Sequence, residues 1–246
     1  MPKVVIVMPA YNAAATLRST VRDLPREYLA GAILVDDASS DDTVRVAEEL
    51  GLRVVRRERN GGYGANQKTC YRLALEAGAD IVVMLHPDYQ YNPKVVPHMA
   101  ALIGEGICDV VLGNRVRTRR EALAGGMPLY KYAANRFLSL LCNVATGENL
   151  GEWHSGLRAY SAKALRTIPW EDNSDDFVFD MQFLAQASFF GLRMGDIPVE
   201  TKYFKEASSI NFRRGTVYGL LTLLVMAQHF LARAGLAAPG LFRPKA

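Results

Sequence analysis

The chain has 246 residues, of which half are hydrophobic and 22% are charged, and its formal net charge is +4. This is the composition of a soluble globular protein with a sizeable core, built as one large domain or as one domain with a C-terminal extension. Its three cysteines, Cys70, Cys108 and Cys142, are far apart, which argues against a disulfide framework and a C-x-x-C metal knuckle. The basic balance favours anionic partners, and the lack of a basic stripe with interleaved aromatic residues argues against nucleic acid.

The N-terminal apolar run, residues 4–8, is too short for a signal peptide and ends in Pro-Ala-Tyr-Asn. The sequence therefore predicts a cytoplasmic protein. Residues 216–236 are the most apolar segment, but Gln228, His229 and Arg233 interrupt it before it reaches the roughly 20 apolar residues that a membrane span needs. We expect a helix that packs on the domain or lies at the inner face of a membrane.

Apolar runs and helical patterns alternate along the first half of the chain. The predicted strands are residues 4–8, 32–35, 52–55, 80–85 and 109–112, and the predicted helices are residues 13–24, 41–50, 63–77 and 93–103. Because the strand runs lack polar alternation, they predict strands buried on both faces, as in a parallel sheet. Repeated βα units imply right-handed crossovers and an open twisted sheet of the α/β class.

The second half has a less regular pattern. It predicts a helix over residues 129–144, a loop from residue 147 that feeds a short strand, a helix over 177–189 and a strand over 194–202. Pro198 favours an edge position for that last strand. Residues 205–214 are polar and predicted to be flexible. The predicted organisation is a domain of residues 1–215 followed by a C-terminal helix and tail of residues 216–246.

Polar clusters follow four of the predicted strands. They are Pro9-Ala-Tyr11-Asn12, Asp36-Asp37, His86-Pro87-Asp88-Tyr-Gln90 and Gly-Asn-Arg115. The carboxyl ends of parallel strands share one rim of a sheet, where ligands bind. Four clusters on one rim therefore predict a ligand crevice.

Individual motifs at this rim leave alternatives open. Asp36 and Asp37 suit a nucleotide's base or sugar, but the stretch that follows also suits helix capping. Asp88 and Gln90 offer the hard oxygen ligands that Mg²⁺ or Mn²⁺ takes beside phosphate oxygens, although an ordinary turn has the same pattern. The glycine-rich residues 60–68 match neither the P-loop nor G-x-G-x-x-G, and they suit either a close approach to an anion or a simple turn.

The order and spacing of six motifs resemble the family 2 glycosyltransferases of the GT-A fold, and most of all their dolichol- and polyprenyl-phosphate sugar transferases. The motifs are PAYN, VDDASSDDT, NGGYG, HPDYQYNP, GNR and E-x-x-SGLRAY, within residues 2–215. The resemblance implies a mostly parallel sheet flanked by helices. It also implies inverting, metal-dependent transfer from a UDP- or GDP-sugar to a polyprenyl phosphate.

Other functions remain open at this point. One is transfer to a hydroxyl of a soluble small molecule or glycan, for which Glu152, Asp176 and Asp180 are candidate bases. Others are a nucleotidyltransferase and a non-catalytic nucleotide-sugar-binding module. Contact with a membrane surface and a homodimer are further expectations.

The resemblance, together with the positions of polar residues in the loops and at the strand ends, suggests roles for individual residues. The catalytic residues would be Asp88, Glu152 and Asp180, and Asp88 with Gln90 would hold the Mg²⁺ or Mn²⁺ ion. The nucleotide would be bound by Pro9, Tyr11, Asn12, Asp36, Asp37, Gly62, His86 and Pro87. The acceptor phosphate and the departing diphosphate would be bound by Arg115, Lys131, Arg136, His154, Arg213 and Arg214. His86 stands where the family's D-A-D-x-Q motif has its first aspartate.

Overall fold

A computed structural model describes residues 2–202, 212–236 and 240–243, and it has one seven-stranded sheet flanked by helices. The strands are β1 (Val4–Ala10), β2 (Ile33–Asp36), β3 (Arg53–Arg56), β4 (Ile81–Met84), β5 (Val110–Asn114), β6 (Arg158–Ser161) and β7 (Met194–Pro198). The helices are α1 (Ala14–Asp23), α2 (Arg26–Leu29), α3 (Thr43–Glu49), α4 (Tyr63–Glu76), α5 (Val96–Gly104), α6 (Arg119–Ala124), α7 (Leu129–Thr146), α8 (Ala162–Thr167), α9 (Phe179–Phe189) and α10 (Phe212–Arg233).

The sheet is mostly parallel, as the uninterrupted apolar runs predict. Its strand order is β3-β2-β1-β4-β6-β5-β7, and β6 is antiparallel to both β4 and β5. The central strands are almost wholly buried, and their register pairs Met8 with Leu34 and Ile6 with Val83. β7 lies at the edge, beside β5, as Pro198 predicts.

Alternate residues of each strand build the two halves of the core. Val5 and Val7 of β1 belong to one apolar cluster, which includes buried residues of α4 and α9. Ile6 and Met8 belong to the other, which includes buried residues of α1 and α5. The fold is thus an α/β sheet with a helical layer on each face, and the predicted fold class is confirmed.

The ends of several elements differ from the predicted ones for local reasons. The helix predicted over residues 129–144 continues to Thr146, where Gly147 takes a left-handed φ of 79° and caps it. The strand predicted over 194–202 ends at Pro198, and only an isolated bridge from Tyr91 to Thr201 follows. Helices α2, α6 and α8 were not predicted, because four to six residues are too few to show a helical period.

The C-terminal helix starts earlier than the predicted residue 216. α10 begins at Phe212, so the predicted boundary at residue 215 falls inside it, and the helix packs against α7 and α9. Its buried side chains are Thr222, Val225, Met226 and His229, a helical spacing that fixes one face on the domain. Of the segment predicted to be flexible, residues 205–211 lie outside the described residues.

Candidate active site

A cavity of about 510 Å³ opens where the carboxyl ends of the central strands face α7 and α10. Seven side chains assigned to the site from the sequence line it, namely His86, Asp88, Gln90, Arg115, Lys131, His154 and Asp180. These residues are spread over 95 positions of the chain but meet because β4, β5 and β6 are neighbours in the sheet. Apolar side chains of α7 and α10, including Phe137, Leu220 and Leu223, form the opposite wall.

The turn after β4 places Asp88 and Gln90 in the lining of this cavity. Tyr89 has a left-handed φ of 53°, and its hydroxyl donates to Asp23 on α1, away from the cavity. Its neighbours Asp88 and Gln90 both line the cavity, and the Gln90 N–H donates to Asp88 Oδ1 at 3.1 Å. A conformation that a tyrosine rarely adopts thereby places two oxygen ligands side by side.

The part of the chain that the structure describes contains no group of three or more His, Cys, Asp or Glu side chains that could hold a metal ion. One carboxylate and one amide oxygen nevertheless fit Mg²⁺ or Mn²⁺ when phosphate oxygens and water supply the other ligands. Asp88 and Gln90 are therefore chemically suited to a cation that arrives with a diphosphate.

The two acids after β2 lie outside the cavity and are buried. Asp36 Oδ2 accepts the Ser39 N–H at 3.1 Å, while Asp36 Oδ1 is buried without a hydrogen-bond partner among the described residues. Both carboxylate oxygens of Asp37 accept hydrogen bonds within the protein. Oδ1 accepts from Arg57 Nη1 at 2.5 Å and from the Gly61 N–H, and Oδ2 accepts from the Gly62 N–H. Of the pair, only Asp36 therefore keeps an oxygen without a hydrogen-bond partner among the described residues.

Two residues near Asp36 have unusual backbone angles. Asn12 and Ala38 have φ values of 51° and 59°, which are left-handed and uncommon for residues other than glycine. The Asn12 side chain ties the ends of β1 and β2 together by accepting the Ser40 N–H at 2.9 Å. Tyr11, just before Asn12, is 55% exposed. These strained turns frame an open surface beside the unsatisfied Asp36 oxygen.

The glycine-rich loop packs closely against the segment that precedes α9. A Cβ on Gly62 would lie 2.7 Å from the Asp175 carbonyl oxygen, and one on Gly64 would lie 2.4 Å from that of Ser174. The Gly64 N–H, at the start of α4, donates to the Asp175 carbonyl at 2.8 Å. These glycines therefore permit close packing of the segment before α9, and the N-terminus of α4 is capped by the protein itself.

Glu152 holds Arg115 in place and does not line the cavity. It is fully buried, its Oε2 accepts the Arg115 backbone N–H at 2.7 Å, and its Oε1 accepts from Arg115 Nε and Asn135 Nδ2, both at 2.8 Å. Burial raises the pKa of Glu152, but the Arg115 charge and these hydrogen bonds outweigh it, so the pKa lies below its usual value. Glu152 is therefore an ionised anchor for an arginine that lines the cavity.

Asp180 lines the cavity, but both of its oxygens are engaged. Oδ2 accepts from the Tyr63 hydroxyl at 2.8 Å, and Oδ1 accepts from Gln67 Nε2 at 3.1 Å and lies 2.7 Å from Arg158 Nη1. Arg158 is completely buried, and its contact with Asp180 is an ion pair without hydrogen-bond geometry. Asp180 thus balances a buried charge. Asp176, the other acid near the start of α9, is exposed and lies outside the cavity lining.

An aromatic wall occupies the side of the cavity next to Asp180. The Tyr63 ring stacks on His86 with centroids 5.6 Å apart, and it packs against Phe177 at a tilt of 30° with centroids 4.8 Å apart. Burial lowers the pKa of His86, although Asp88 and Asp180 raise it in part. His86 is therefore a largely neutral ring at the position of an acid in the D-A-D-x-Q motif.

The remaining predicted site residues lie around the cavity and not in its lining. Pro9 is in β1, Pro87 is buried with its carbonyl accepting from Thr16 at 2.7 Å, and Arg136 is exposed with Nη1 donating to the Gly151 carbonyl at 2.5 Å. Arg213 and Arg214 are exposed at the start of α10. Four residues of the site were not assigned from the sequence, namely Tyr63, Asn135, Arg158 and Tyr218.

Known proteins are similar to this chain in sequence and in fold. Residues 5–168 match the model of the family described as glycosyl transferase family 2. A UDP-N-acetylglucosamine–dolichyl-phosphate N-acetylglucosaminyltransferase of Methanococcus voltae is 27% identical over 86% of this chain and 88% of that protein. An undecaprenyl-phosphate mannosyltransferase of Micrococcus luteus is 27% identical over 80% of this chain and 82% of that protein.

A solved structure resembles the fold over nearly the whole length. It is glucosyl-3-phosphoglycerate synthase of Mycobacterium tuberculosis in complex with Mn²⁺, UDP and phosphoglyceric acid, with a TM-score of 0.67 and 19% identity over 97% of this chain and 81% of that one. The family match covers most of the sheet and the strand ends that border the cavity. The chain belongs to glycosyl transferase family 2 and is a glycosyltransferase.

Proposed function

We propose that this glycosyltransferase moves a sugar from a nucleotide-diphosphate sugar to a polyprenyl phosphate, with a divalent cation and inversion at the anomeric carbon. The observation that carries the proposal is the contrast between the two walls of the cavity. Asp88, Gln90 and Arg115 offer ligands for a cation and a phosphate, while Phe137 and Leu220 offer an apolar surface. An acceptor with a charged head and a hydrocarbon chain matches both walls. The relatives named for dolichyl and undecaprenyl phosphate support this choice.

The nucleoside would bind at the open surface beside Asp36. Its buried Oδ1 lacks a partner among the described residues, and uracil and guanine both carry a ring N–H that this atom can accept. The exposed ring of Tyr11 is available to stack on the base. The structural neighbour that holds UDP supports a uridine donor.

The diphosphate would reach from this surface to Asp88 and Gln90, which would hold Mg²⁺ or Mn²⁺. When bound, that cation stabilises the negative charge of the leaving diphosphate. Arg115 and Lys131 line the same cavity and would bind the acceptor phosphate. Burial and, to a smaller extent, the Arg115 charge lower the pKa of Lys131. The negative charge of a bound phosphate would favour the protonated form of Lys131.

The state of the acids supports a phosphate acceptor over a hydroxyl acceptor. A hydroxyl needs a carboxylate base within about 3 Å, whereas a phosphate is already an anionic nucleophile. Glu152 is buried behind Arg115, Asp180 is engaged by three partners, and Asp176 is exposed outside the cavity. Each of the three candidate bases therefore has a poor position for deprotonating a hydroxyl in the cavity.

A lipid acceptor requires contact with a membrane, and the exposed faces of α7 and α10 would supply a suitable surface. Their exposed apolar residues include Leu129, Phe137, Leu140, Val144, Val217, Leu220, Leu224 and Phe230. The two helices contain no acidic residue and five basic ones, which suits anionic lipid head groups. Residues Arg213–Arg233 are long and apolar enough to cross a membrane, but one face of α10 is buried on the domain, which favours a helix lying at the membrane surface.

The test is transfer from labelled UDP-N-acetylglucosamine, UDP-glucose or GDP-mannose to farnesyl phosphate in vesicles, with and without Mn²⁺. We expect a metal-dependent, organic-extractable product whose formation falls at least ~100-fold in Asp88→Asn. Asp176→Asn, which alters an exposed acid outside the cavity, should keep its activity. Transfer only to soluble hydroxyl compounds, or donor binding without turnover, would contradict the proposal. Light scattering would report whether the apolar faces instead pair two copies of the chain.

A further inference from the structure

Helix α10 reaches from the apolar surface into the cavity through Tyr218. The Tyr218 hydroxyl lies 2.9 Å from Nδ1 of His154, and the two rings meet edge to face with centroids 5.6 Å apart. Both residues line the cavity. The contact joins residues 64 positions apart, so a helix remote in sequence holds a side chain of the loop before β6.

His154 is also attached to the arginine of the site. Its backbone carbonyl accepts from Arg115 Nη2 at 2.8 Å. Its Nε2 is buried and has no hydrogen-bond partner among the described residues. Burial is the main cause that lowers the pKa of His154 to about 4, so the ring is neutral at pH 7. A neutral imidazole has one N–H, and its position decides whether Nε2 donates or accepts.

The surroundings select one of the two tautomers once an anion is present. Phosphate oxygens accept hydrogen bonds, so a phosphate held by Arg115 favours the tautomer with a proton on Nε2. In that tautomer Nδ1 is an acceptor, and the Tyr218 O–H can donate to it. The Tyr218 hydroxyl and the phosphate therefore favour the same protonation pattern from opposite sides of the ring.

We propose that Tyr218 is a positioning residue that fixes His154 with Nε2–H as a donor to a phosphate group bound at Arg115. The proposal rests on the proposed function to the extent that the cavity takes a phosphate. It adds that α10, whose exposed face is apolar, is joined to the phosphate-binding residues through the Tyr218–His154 hydrogen bond. A change in the packing of α10 on the domain would then alter the affinity for phosphate without changing the cationic side chains that line the cavity.

Tyr218→Phe tests this role, because it removes one oxygen and keeps the ring. We expect KM for farnesyl phosphate to rise about 5- to 10-fold, the effect of one lost hydrogen bond, with kcat and the KM of the nucleotide sugar nearly unchanged. Tyr28→Phe, which removes a hydroxyl from α2, should change neither constant. An unchanged KM for farnesyl phosphate in Tyr218→Phe would overturn the proposal.

A second variant separates this role from a general loosening of α10. His154→Gln removes the Nδ1 acceptor but keeps an amide near the position of Nε2, so Tyr218→Phe should have less than a ~2-fold further effect in that background. A full 5- to 10-fold effect there would show that Tyr218 acts by another route, and the proposal would fail. In ¹⁵N NMR, farnesyl phosphate should shift His154 to the Nε2–H tautomer in wild type and less completely in Tyr218→Phe.

The same NMR titration distinguishes failure of this inference from failure of the proposed function. If farnesyl phosphate binds and perturbs His154 but no nucleotide sugar is turned over, the transferase proposal fails and the phosphate site stands. If UDP alone perturbs His154, the phosphate belongs to the donor, and the acceptor assignment fails. If transfer proceeds while His154 carries its proton on Nδ1 with farnesyl phosphate bound, the role of Tyr218 fails and the transferase proposal stands.

Discussion

Replacing Asp180 by asparagine should destabilise the protein strongly, because Asp180 balances a charge with no access to water. The Arg158 side chain is 1% exposed and its Nη1 lies 2.7 Å from Asp180 Oδ1. Burial lowers the pKa of Arg158, but the Asp180 charge more than offsets this, and the guanidinium stays protonated. Asparagine keeps the shape of the side chain and the neighbours Tyr63 and Gln67, so the perturbation is mainly the loss of one negative charge.

The size of the effect follows from the cost of an uncompensated buried ion. Removing one partner of a buried pair typically costs about 3–5 kcal/mol. In a chain of this length each kcal/mol lowers Tm by about 2–4 °C, so Asp180→Asn should lower Tm by about 6–20 °C. The matched control is Asp42→Asn, since Asp42 pairs with Arg45 at the surface, where the two side chains are 64% and 59% exposed. A surface pair contributes little to stability, so the control should shift Tm by no more than about 4 °C.

Thermal unfolding and urea denaturation measure both variants, and a double variant sharpens the test. Asp180→Asn with Arg158→Met removes both charges, and apolar replacement of a buried pair is often neutral or stabilising. The double variant should therefore be more stable than Asp180→Asn alone. A Tm shift below about 3 °C in the single variant, or a double variant that is the least stable of all, would refute the account of Asp180 as a counter-ion.

Three further predictions concern the buried acids and the glycine-rich loop. The stability that ionised Glu152 contributes is complete above its unfolded-state pKa of 4.5, and it is lost as the pH falls through the lower folded-state pKa. In urea unfolding, Glu152→Gln should therefore be less stable than wild type at pH 7 and should approach wild type below about pH 4. A difference in unfolding free energy that stays constant with pH would contradict this. Gly64→Ala should cost about 1–3 kcal/mol in the same assay because its Cβ would lie 2.4 Å from the Ser174 carbonyl, whereas Gly219→Ala, with no atom nearer than 3.8 Å, should not lose stability. Asp36→Asn should weaken donor binding at least ~10-fold in calorimetry, and equal affinity would remove Asp36 from the nucleoside site.

Much of the fold could be predicted because its signals are local. The strands of the sheet's centre are short apolar runs, and the polar residues after them are adjacent in sequence to the strands that position them. Asp88, Gln90 and Arg115 were assigned to one crevice for this reason, and all three line the cavity. The edge position of β7 followed from Pro198 alone.

The parts of the site that could not be predicted depend on contacts between distant residues. Tyr63 and Asp180 are 117 positions apart, and Arg115 and Glu152 are 37 apart, so no periodicity or spacing indicates either pair. The glycine-rich loop shows a related limit. Its glycines indicate a close approach, but only the tertiary structure shows that Gly62 and Gly64 approach the Ser174 and Asp175 carbonyls.

The charge balance of the cavity accounts for the replacement of an acid by His86. Glu152 and Asp180 are paired with Arg115 and Arg158, which leaves Asp88 and Lys131 as the other charged groups lining the cavity. The group as a whole is close to neutral, because burial keeps His86 largely uncharged. An aspartate at this position would add a negative charge next to the proposed site of a diphosphate and an acceptor phosphate, and repulsion would weaken the binding of both. A neutral ring is thus compatible with the proposed anionic acceptor, and Asp88 supplies a carboxylate for the proposed divalent cation.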